Sequence, residues 1–524
     1  MHCDTWPIDA INKSAAVKRA IFLSMVAVGA WWAATAHAAE PLLWVERDRP
    51  SPQAREIEGT LRAAERQGLR PEAYLSSLTS TELQQVHESH ANAELLRRYD
   101  ADVSRRVSRF VTHLRYGRVS ARAAGFDLPA TNDRTDIATV VRRLASARST
   151  EAEIDSIEPR PLPYRLLRDA LARYRHLAQD QELTALPPLS ARSAKLGDAY
   201  EGATQLRKLL VRLGDLPAGS DDAHSTATLD APLVDALKRF QSRHGLTPDG
   251  VLGNQTMAAL NVPLRQRVRQ IELSMERWRW LSVLPRPEIV INIPQFTLYA
   301  LPRPERPGEP LLEMPVIVGR KNQRTPVFTS SIEEVIFNPY WDVPSSILRD
   351  ELLPKIRKDV RYLERNHFEI VRGANAVQSP TPETIAALAA GKYRLRQRPG
   401  ADNALGPVKF VLPNPYSIRL HGTPEPGLFA FSQRAYSHGC VRVSDPAALA
   451  EYVLVNAPGT WDKEAIETAM CDTQPRQVKL RTPVRVIVFY ATAAATASDG
   501  VMFSPDLYGH DARLEKLLAT AQES

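Results

Sequence analysis

The chain has 524 residues, with 67 Lys and Arg against 60 Asp and Glu, a net charge of +7. Hydrophobic residues make up 44% and charged residues 24%, the composition of a globular protein of about three domains. That excludes a disordered chain, a disulfide-stapled mini-domain and a polytopic membrane protein. So mild a charge, with no Lys/Arg run interleaved with aromatics, argues against nucleic acid as a partner.

The first 38 residues read as an export signal. Lys13, Lys18 and Arg19 supply the positive start, and an apolar run follows from Ala20 to about Ala34. Ala36-His37-Ala38 then fits a small-x-small cleavage site. The apolar run is short for a span of ~20 residues, so membrane contact is expected only if the segment stays uncleaved. Removal takes Cys3 away and leaves Cys440 and Cys471, with no disulfide framework.

Residues 39–194 are predicted to be helical. Ile57, Leu61 and Ala64 recur at helical spacing, as do Val103, Val107, Phe110, Val111 and Leu114. His87 and His90 lie on a polar stretch and read as a solvated face, because no third metal ligand is evident. Residues 195–265 read as three short helices. Leu206, Leu209, Leu210 and Leu213 make one stripe, and Leu233, Ala236, Leu237 and Phe240 a second. Pro248-Asp249-Gly250 is turn chemistry, and Asn254 is a candidate cap for the third helix. On these residues alone the unit is a structural spacer. A linking helix is expected over 266–287, and residues 496–524 read as a tail.

From residue 288 to 495 the pattern changes to β. Ile289, Ile291 and Ile293 alternate with other residues, and further strands are expected at Phe296–Tyr299, Val316–Val318, Ile332–Phe337, Val408–Leu412, Ser417–Leu420 and Val484–Tyr490. Residues 345–405 interrupt them with helical spacing at Leu348, Leu352, Leu353, Ile385 and Leu388, an insertion suited to a lid.

The reactive residues cluster late in this region. His421-Gly422-Thr423 is followed by Ser437-His438-Gly439-Cys440-Val441-Arg442-Val443. A thiol has a pKa of ~8.5, and a neighbouring imidazole can take its proton. Gly439, between His438 and Cys440, permits a tight bend and close substrate approach. An inert buried thiol is the alternative for Cys440, but a polar, Gly-containing segment is poor core material. Zinc held by His421, His438 and Cys440 is a further alternative, supported by neither a HExxH nor a CxxC pattern.

Two stretches resemble known families. Ala236-Leu237-Lys238-Arg239-Phe240-Gln241, His244-Gly245-Leu246, Asp249-Gly250-Val251-Leu252-Gly253, Thr256 and Ala259-Leu260-Asn261 resemble the peptidoglycan-binding domain type 1 family. The His421-Gly422-Thr423 and Ser437–Val443 segments resemble the L,D-transpeptidase (YkuD) catalytic domain, specifically the large multidomain branch. Asn338–Pro344, Arg396–Gly400, Asn403–Gly406 and Val408–Phe410 add to that match, and His113–Arg118 is similar to the branch's N-terminal scaffold domain. The implied architecture is multidomain α+β: a helical scaffold, a small three-helix wall-binding unit and a β-rich YkuD-type catalytic domain with a helical lid insertion.

The resemblance implies a periplasmic enzyme without metal or cofactor that forms 3→3 peptidoglycan cross-links and is inhibited by carbapenem-type compounds. Its partners would be a donor tetrapeptide stem and an acceptor amine. Cys440 would be the nucleophile and His421 the base, oriented by the Gly422 carbonyl. Backbone N–H groups at Gly439 and Cys440 would stabilise the oxyanion, with His438 and Ser437 shaping the pocket. Arg442 would hold a substrate carboxylate or make a structural ion pair, and Trp341 would line the site. Two positions depart from the family pattern: Arg442, where many members have Asn, and Gly422, where the large branch often has Asp. An L,D-carboxypeptidase and a non-catalytic wall-binding scaffold are the competing readings.

Overall fold

In a computed structural model, residues 41–129, 133, 135–220, 227–373, 375–377, 380–455, 457–496 and 500–523 are described. The chain divides into Met1–Leu42 and Leu43–Ser524, and every described helix and strand belongs to the second unit. The expected export signal lies outside the described residues. No helix among them is long and apolar enough to cross a membrane.

The N-terminal half is helical because its apolar residues repeat at helical spacing, and several of its helix starts are capped. Helix α1 (Pro52–Arg62) begins at Ser51, whose side chain accepts from the Ala54 N–H. Helix α2 (Ala93–Tyr116) is capped by Asn92 and buries Val103, Val107, Phe110, Val111 and Leu114. Helix α3 (Leu162–Leu177) packs Tyr164, Leu167, Leu171 and Tyr174 inward. The expected three-helix unit forms as α4 (Ala203–Leu213), α5 (Ala231–Arg243) and α6 (Asn254–Leu260). Asn254 is the first residue of α6 rather than its cap; Gly253 takes the cap position and makes no side-chain bond. Gln241, 1% exposed, stitches the turn before α6 by bonding Asp249, Gly250, Val251 and Thr256.

Helix α7 (Leu264–Ser282) joins the modules. It carries three fully or nearly buried charges: Glu276, Arg277 and Arg279. Glu276 accepts from the backbone N–H groups of Arg118 and Val119 and pairs with Arg279 at 2.7 Å. The His113–Arg118 motif thus ends on α7. Gly117 has φ +86°, and a Cβ there would lie 2.6 Å from Glu276 Oε1, so a side chain is excluded.

The β region comprises β1 (Ile289–Asn292), β2 (Thr297–Ala300), β3 (Leu312–Gly319) and β4 (Phe328–Phe337) before the insertion. The insertion contains β5 (Trp341–Asp342), α8 (Leu353–Lys358), β6 (Phe368–Arg372), β7 (Asn375–Ala376), α9 (Pro382–Ala389) and β8 (Arg394–Gln397). After it come β9 (Val408–Val411), β10 (Leu420–His421), β11 (Ala435–Ser437), β12 (Val441–Val443), α10 (Pro446–Leu454), α11 (Lys463–Cys471) and β13 (Arg476–Phe489). The main sheet has the order β11-β3-β12-β10-β9-β4-β13-β1-β2, and β2 pairs back with β3, closing it on itself. Along β13, Val484, Val486 and Val488 enter the main core while Ile487 and Phe489 enter a second cluster with Val290 and Leu281. This is the period-2 alternation of a strand buried on both sides.

The structure corrects three further expectations. The insertion is not only helical: it holds a four-stranded sheet of its own, in the order β5-β8-β6-β7. Phe368, Ile370 and Leu395 alternate inward from those strands to join Leu348, Leu352 and Leu388 in a separate small core. The strand expected over Ser417–Leu420 begins only at Leu420. Asn414 Oδ1 accepts from the N–H groups of Tyr416 and Ile418, and Ser417 has φ +57°, so that stretch is a turn. Residues 496–524 are not a tail. Strands β14 (Ala493–Thr496) and β15 (Gly500–Phe503) pair, and α12 (His510–Glu523) follows. Tyr508, Leu514 and Leu518 are core residues, the last two at i,i+4 spacing on α12.

Candidate active site

Strand pairing brings the reactive residues together. Strand β10 lies between β9 and β12, pairing antiparallel with β9 and parallel with β12. Leu420 is thereby opposite Phe410 and Val441, all fully buried in the main core. His421 is opposite Lys409 and Arg442, so these three stand on the other face. Cys440 directly precedes β12, two residues from Arg442. Its Sγ lies 3.8 Å from the Ser417 carbonyl oxygen, at the turn that Asn414 holds.

His421 is buried, and its Nδ1 donates to the Gly422 carbonyl at 2.7 Å. That bond assigns the proton to Nδ1 and leaves Nε2 as the proton-accepting nitrogen. Burial and then the Arg442 cation lower the His421 pKa to about 4, against the pull of the Gly422 and Leu405 backbones. Gly422 is packed closely by the return limb of the insertion. A Cβ on Gly406 (φ +62°) would lie 2.4 Å from the Thr423 nitrogen.

Cys440 is half-buried and free. Burial pushes its thiol up, while Arg419, Arg442 and Lys409 act in the opposite sense. Burial thus favours the uncharged form of each group, the thiol and the neutral imidazole. The thiolate, when it forms, has these three cations near it. Reading the sequence alone misses the part played by Lys409 and Arg419; the only signal is the placing of Lys409 between the inward-pointing Val408 and Phe410.

The loop before Cys440 is internally tied. Ser437, 3% exposed, donates from its hydroxyl to the Cys440 carbonyl at 2.5 Å and accepts the Gly439 N–H at 3.0 Å. The Gly439 N–H, expected as an oxyanion donor, is thus already engaged. The Cys440 N–H has no partner among the described residues. His438 does not face the thiol. Its Nε2 meets the carboxylate of Glu351, on the π-helical turn Leu348–Leu352 of the insertion, and Arg320 Nη2 at 3.0 Å. Glu351 and Arg320 escape sequence reading because nothing local marks them; only the fold brings residues so distant in sequence to His438.

Arg442 Nη1 pairs with Glu425 at 2.9 Å and approaches the Thr423 hydroxyl at 3.4 Å. In this structure it makes the ion pair rather than presenting a bare guanidinium. Trp341 packs against the insertion's own core, its ring 6.0 Å from that of Phe368, so it is part of the insertion's packing. Cys471 is exposed at the end of α11. His87 faces Glu58 and His90 faces Glu88. Among the described residues, no group of three or more His, Cys, Asp or Glu is placed to hold a metal ion.

Fold and site thus define a multidomain α+β chain built around a Cys- and His-bearing closed sheet. Residues 286–486 match the L,D-transpeptidase catalytic domain (YkuD), residues 36–171 the Scaffold domain, and residues 200–260 the "Putative peptidoglycan binding domain". The chain therefore carries a YkuD-type L,D-transpeptidase catalytic domain together with a scaffold domain and a peptidoglycan-binding-type module. It is also 34% identical over 227 residues to a "Putative L,D-transpeptidase" of Haemophilus influenzae. That similarity covers 43% of this chain and 45% of the relative, so the chain spans less than half the length of the curated relative it matches.

Proposed function

We propose that this protein is an exported cysteine L,D-transpeptidase of the periplasm that forms 3→3 cross-links in peptidoglycan. The carrying observation is local: Cys440 directly precedes the strand that pairs in parallel with that of His421, the cations Lys409, Arg419 and Arg442 act on its thiol, and its N–H is unpartnered among the described residues. Cys440 attacks the carbonyl between the third stem residue and D-Ala, and Nε2 of His421 takes the thiol proton. D-Ala leaves with that proton, and a thioester remains. The tetrahedral oxyanion is stabilised by the Cys440 N–H. The acceptor amine then attacks the thioester, with His421 as base, and the thiol is regenerated. The neutral resting pair fits this order, because the proton moves only as the carbonyl is attacked.

The insertion, joined to His438 through Glu351, serves as the lid that favours the amine over water. Residues 195–265 dock the enzyme on the wall, residues 39–194 form the scaffold, and residues 1–38 direct export. The test is incubation of the mature chain, and of Cys440→Ala, with disaccharide-tetrapeptide, with products resolved by mass. A dimer short of one D-Ala, absent with the variant, is expected. Tripeptide alone would make it a carboxypeptidase. No reaction and no carbapenem adduct on Cys440 would leave only a wall-binding role.

A further inference from the structure

The segment beyond residue 486 reaches the nucleophile through a closed ring of hydrogen bonds. Tyr508 is 4% exposed, and its hydroxyl donates to the Gly319 carbonyl. The same oxygen accepts the Thr325 N–H at 3.2 Å. Thr325, fully buried, accepts the Gly319 N–H on its hydroxyl at 2.8 Å. That hydroxyl then donates to the Gly439 carbonyl at 2.7 Å. Each hydroxyl thus has one donor and one acceptor, which allows a single proton arrangement around the ring. The ring is also sterically closed: a Cβ on Gly319 would lie 2.1 Å from the Gln323 oxygen.

The consequence lies in the peptide that joins Gly439 to Cys440. A trans peptide is planar, with its C=O and N–H on opposite sides. Holding the Gly439 carbonyl on Thr325 therefore aims the Cys440 N–H the other way. That N–H is the unpartnered one, while the Gly439 N–H is engaged by Ser437. Gly439 has φ +116°, a conformation open to glycine and rarely adopted by other residues. The backbone of Tyr508 is itself held, its N–H donating to the Tyr490 hydroxyl at 2.9 Å while that hydroxyl donates to Asp506 at 2.6 Å.

We propose that Tyr508, acting through Thr325, is a positioning residue that orients the Gly439–Cys440 peptide so that the Cys440 N–H receives the oxyanion. This rests on the reading of Cys440 as an acyl-accepting nucleophile. It assigns a role in the reaction to the C-terminal segment, which lies outside the stretch matched by the catalytic-domain family. Burial raises the Tyr508 pKa, so the phenol stays a donor across the working pH range.

Two reactions of one thiol separate orientation from damage. Alkylation of Cys440 by iodoacetamide passes through no oxyanion, whereas acylation by a carbapenem does. In Tyr508→Phe and Thr325→Val, acylation should fall about tenfold to a hundredfold while alkylation stays within about twofold across the pH range. Thr325→Ser keeps the hydroxyl and should restore acylation. The Gly439 amide, bonded to Ser437 in the same loop, should exchange its hydrogen about tenfold faster in Tyr508→Phe. A parallel fall of both reactions, or unchanged acylation with unchanged exchange, would overturn the proposal. Failure of the wild-type chain to be acylated at all would instead refute acyl transfer at Cys440. The amide exchange would then still decide whether Tyr508 holds the loop.

Discussion

Replacing Glu276 by Ala tests the joint on which the modules meet. Glu276 is 2% exposed and faces Arg279, which is fully buried. The substitution removes the only carboxylate partner of Arg279 among the described residues and leaves it the Gln67 carbonyl and the Tyr164 hydroxyl. It also orphans the N–H groups of Arg118 and Val119. Breaking a buried ion pair from one side costs about 3–5 kcal/mol, because the remaining charge stays desolvated. With an unfolding entropy of ~2.1 cal/mol/K per residue, residues 43–524 melting as one unit lose roughly 1 kcal/mol per degree. Tm should therefore fall by about 3–5 °C, and by more if the helical region opens separately. The assay is calorimetry with urea titration followed by near-UV circular dichroism. The double variant E276A/R279M removes the stranded charge and should recover at least half of the loss. A Tm drop under about 1 °C, or a double variant no better than E276A, would overturn this account of the joint.

Two further outcomes are expected. His421, His113 and His510 are each lowered to about 4, in every case mainly by burial, and His244 lies well below its ordinary value for the same reason. Unfolded histidines titrate near ~6.5, so between those values the unfolded chain binds more protons and stability falls as pH drops. The urea midpoint should be flat just above that window and decline steadily as pH falls through it; a midpoint unchanged down to about pH 5 would contradict the buried neutral rings. Gly439→Ala should cut acylation of Cys440 more than tenfold with only a modest loss of Tm, since φ +116° strains any side chain and the added Cβ meets Ile418 Cδ1 at 3.2 Å. Wild-type acylation rates in that variant would show that the loop geometry is not needed.

Much of this molecule is legible in one dimension. Helical spacing marks α2, α4 and α5, because it reports a local period matched to one buried face, and apolar β-branched residues mark β1 and β13, which are buried on both. The reactive residues are legible too, since Cys440, His438 and His421 sit in short polar segments with glycine that a core would not accept. Gly117 and Gly439 are positions where the backbone conformation admits little else.

What local pattern does not carry is the set of partners. Whether the Gly439 or the Cys440 N–H is free depends on where the Ser437 hydroxyl turns. Arg442 reads equally as a ligand-binding or a structural residue until Glu425 is placed beside it. Glu351 and Tyr508 lie far from Cys440 in sequence, and only the insertion and the C-terminal segment folding back make them neighbours of its loop. Residue type and short spacing were thus enough for many of the elements and for the family resemblance. Which backbone donor is free, which charges pair and which distant hydroxyl bonds toward the Cys440 loop emerged only from the folded chain, because those are properties of contacts between segments and have no local period.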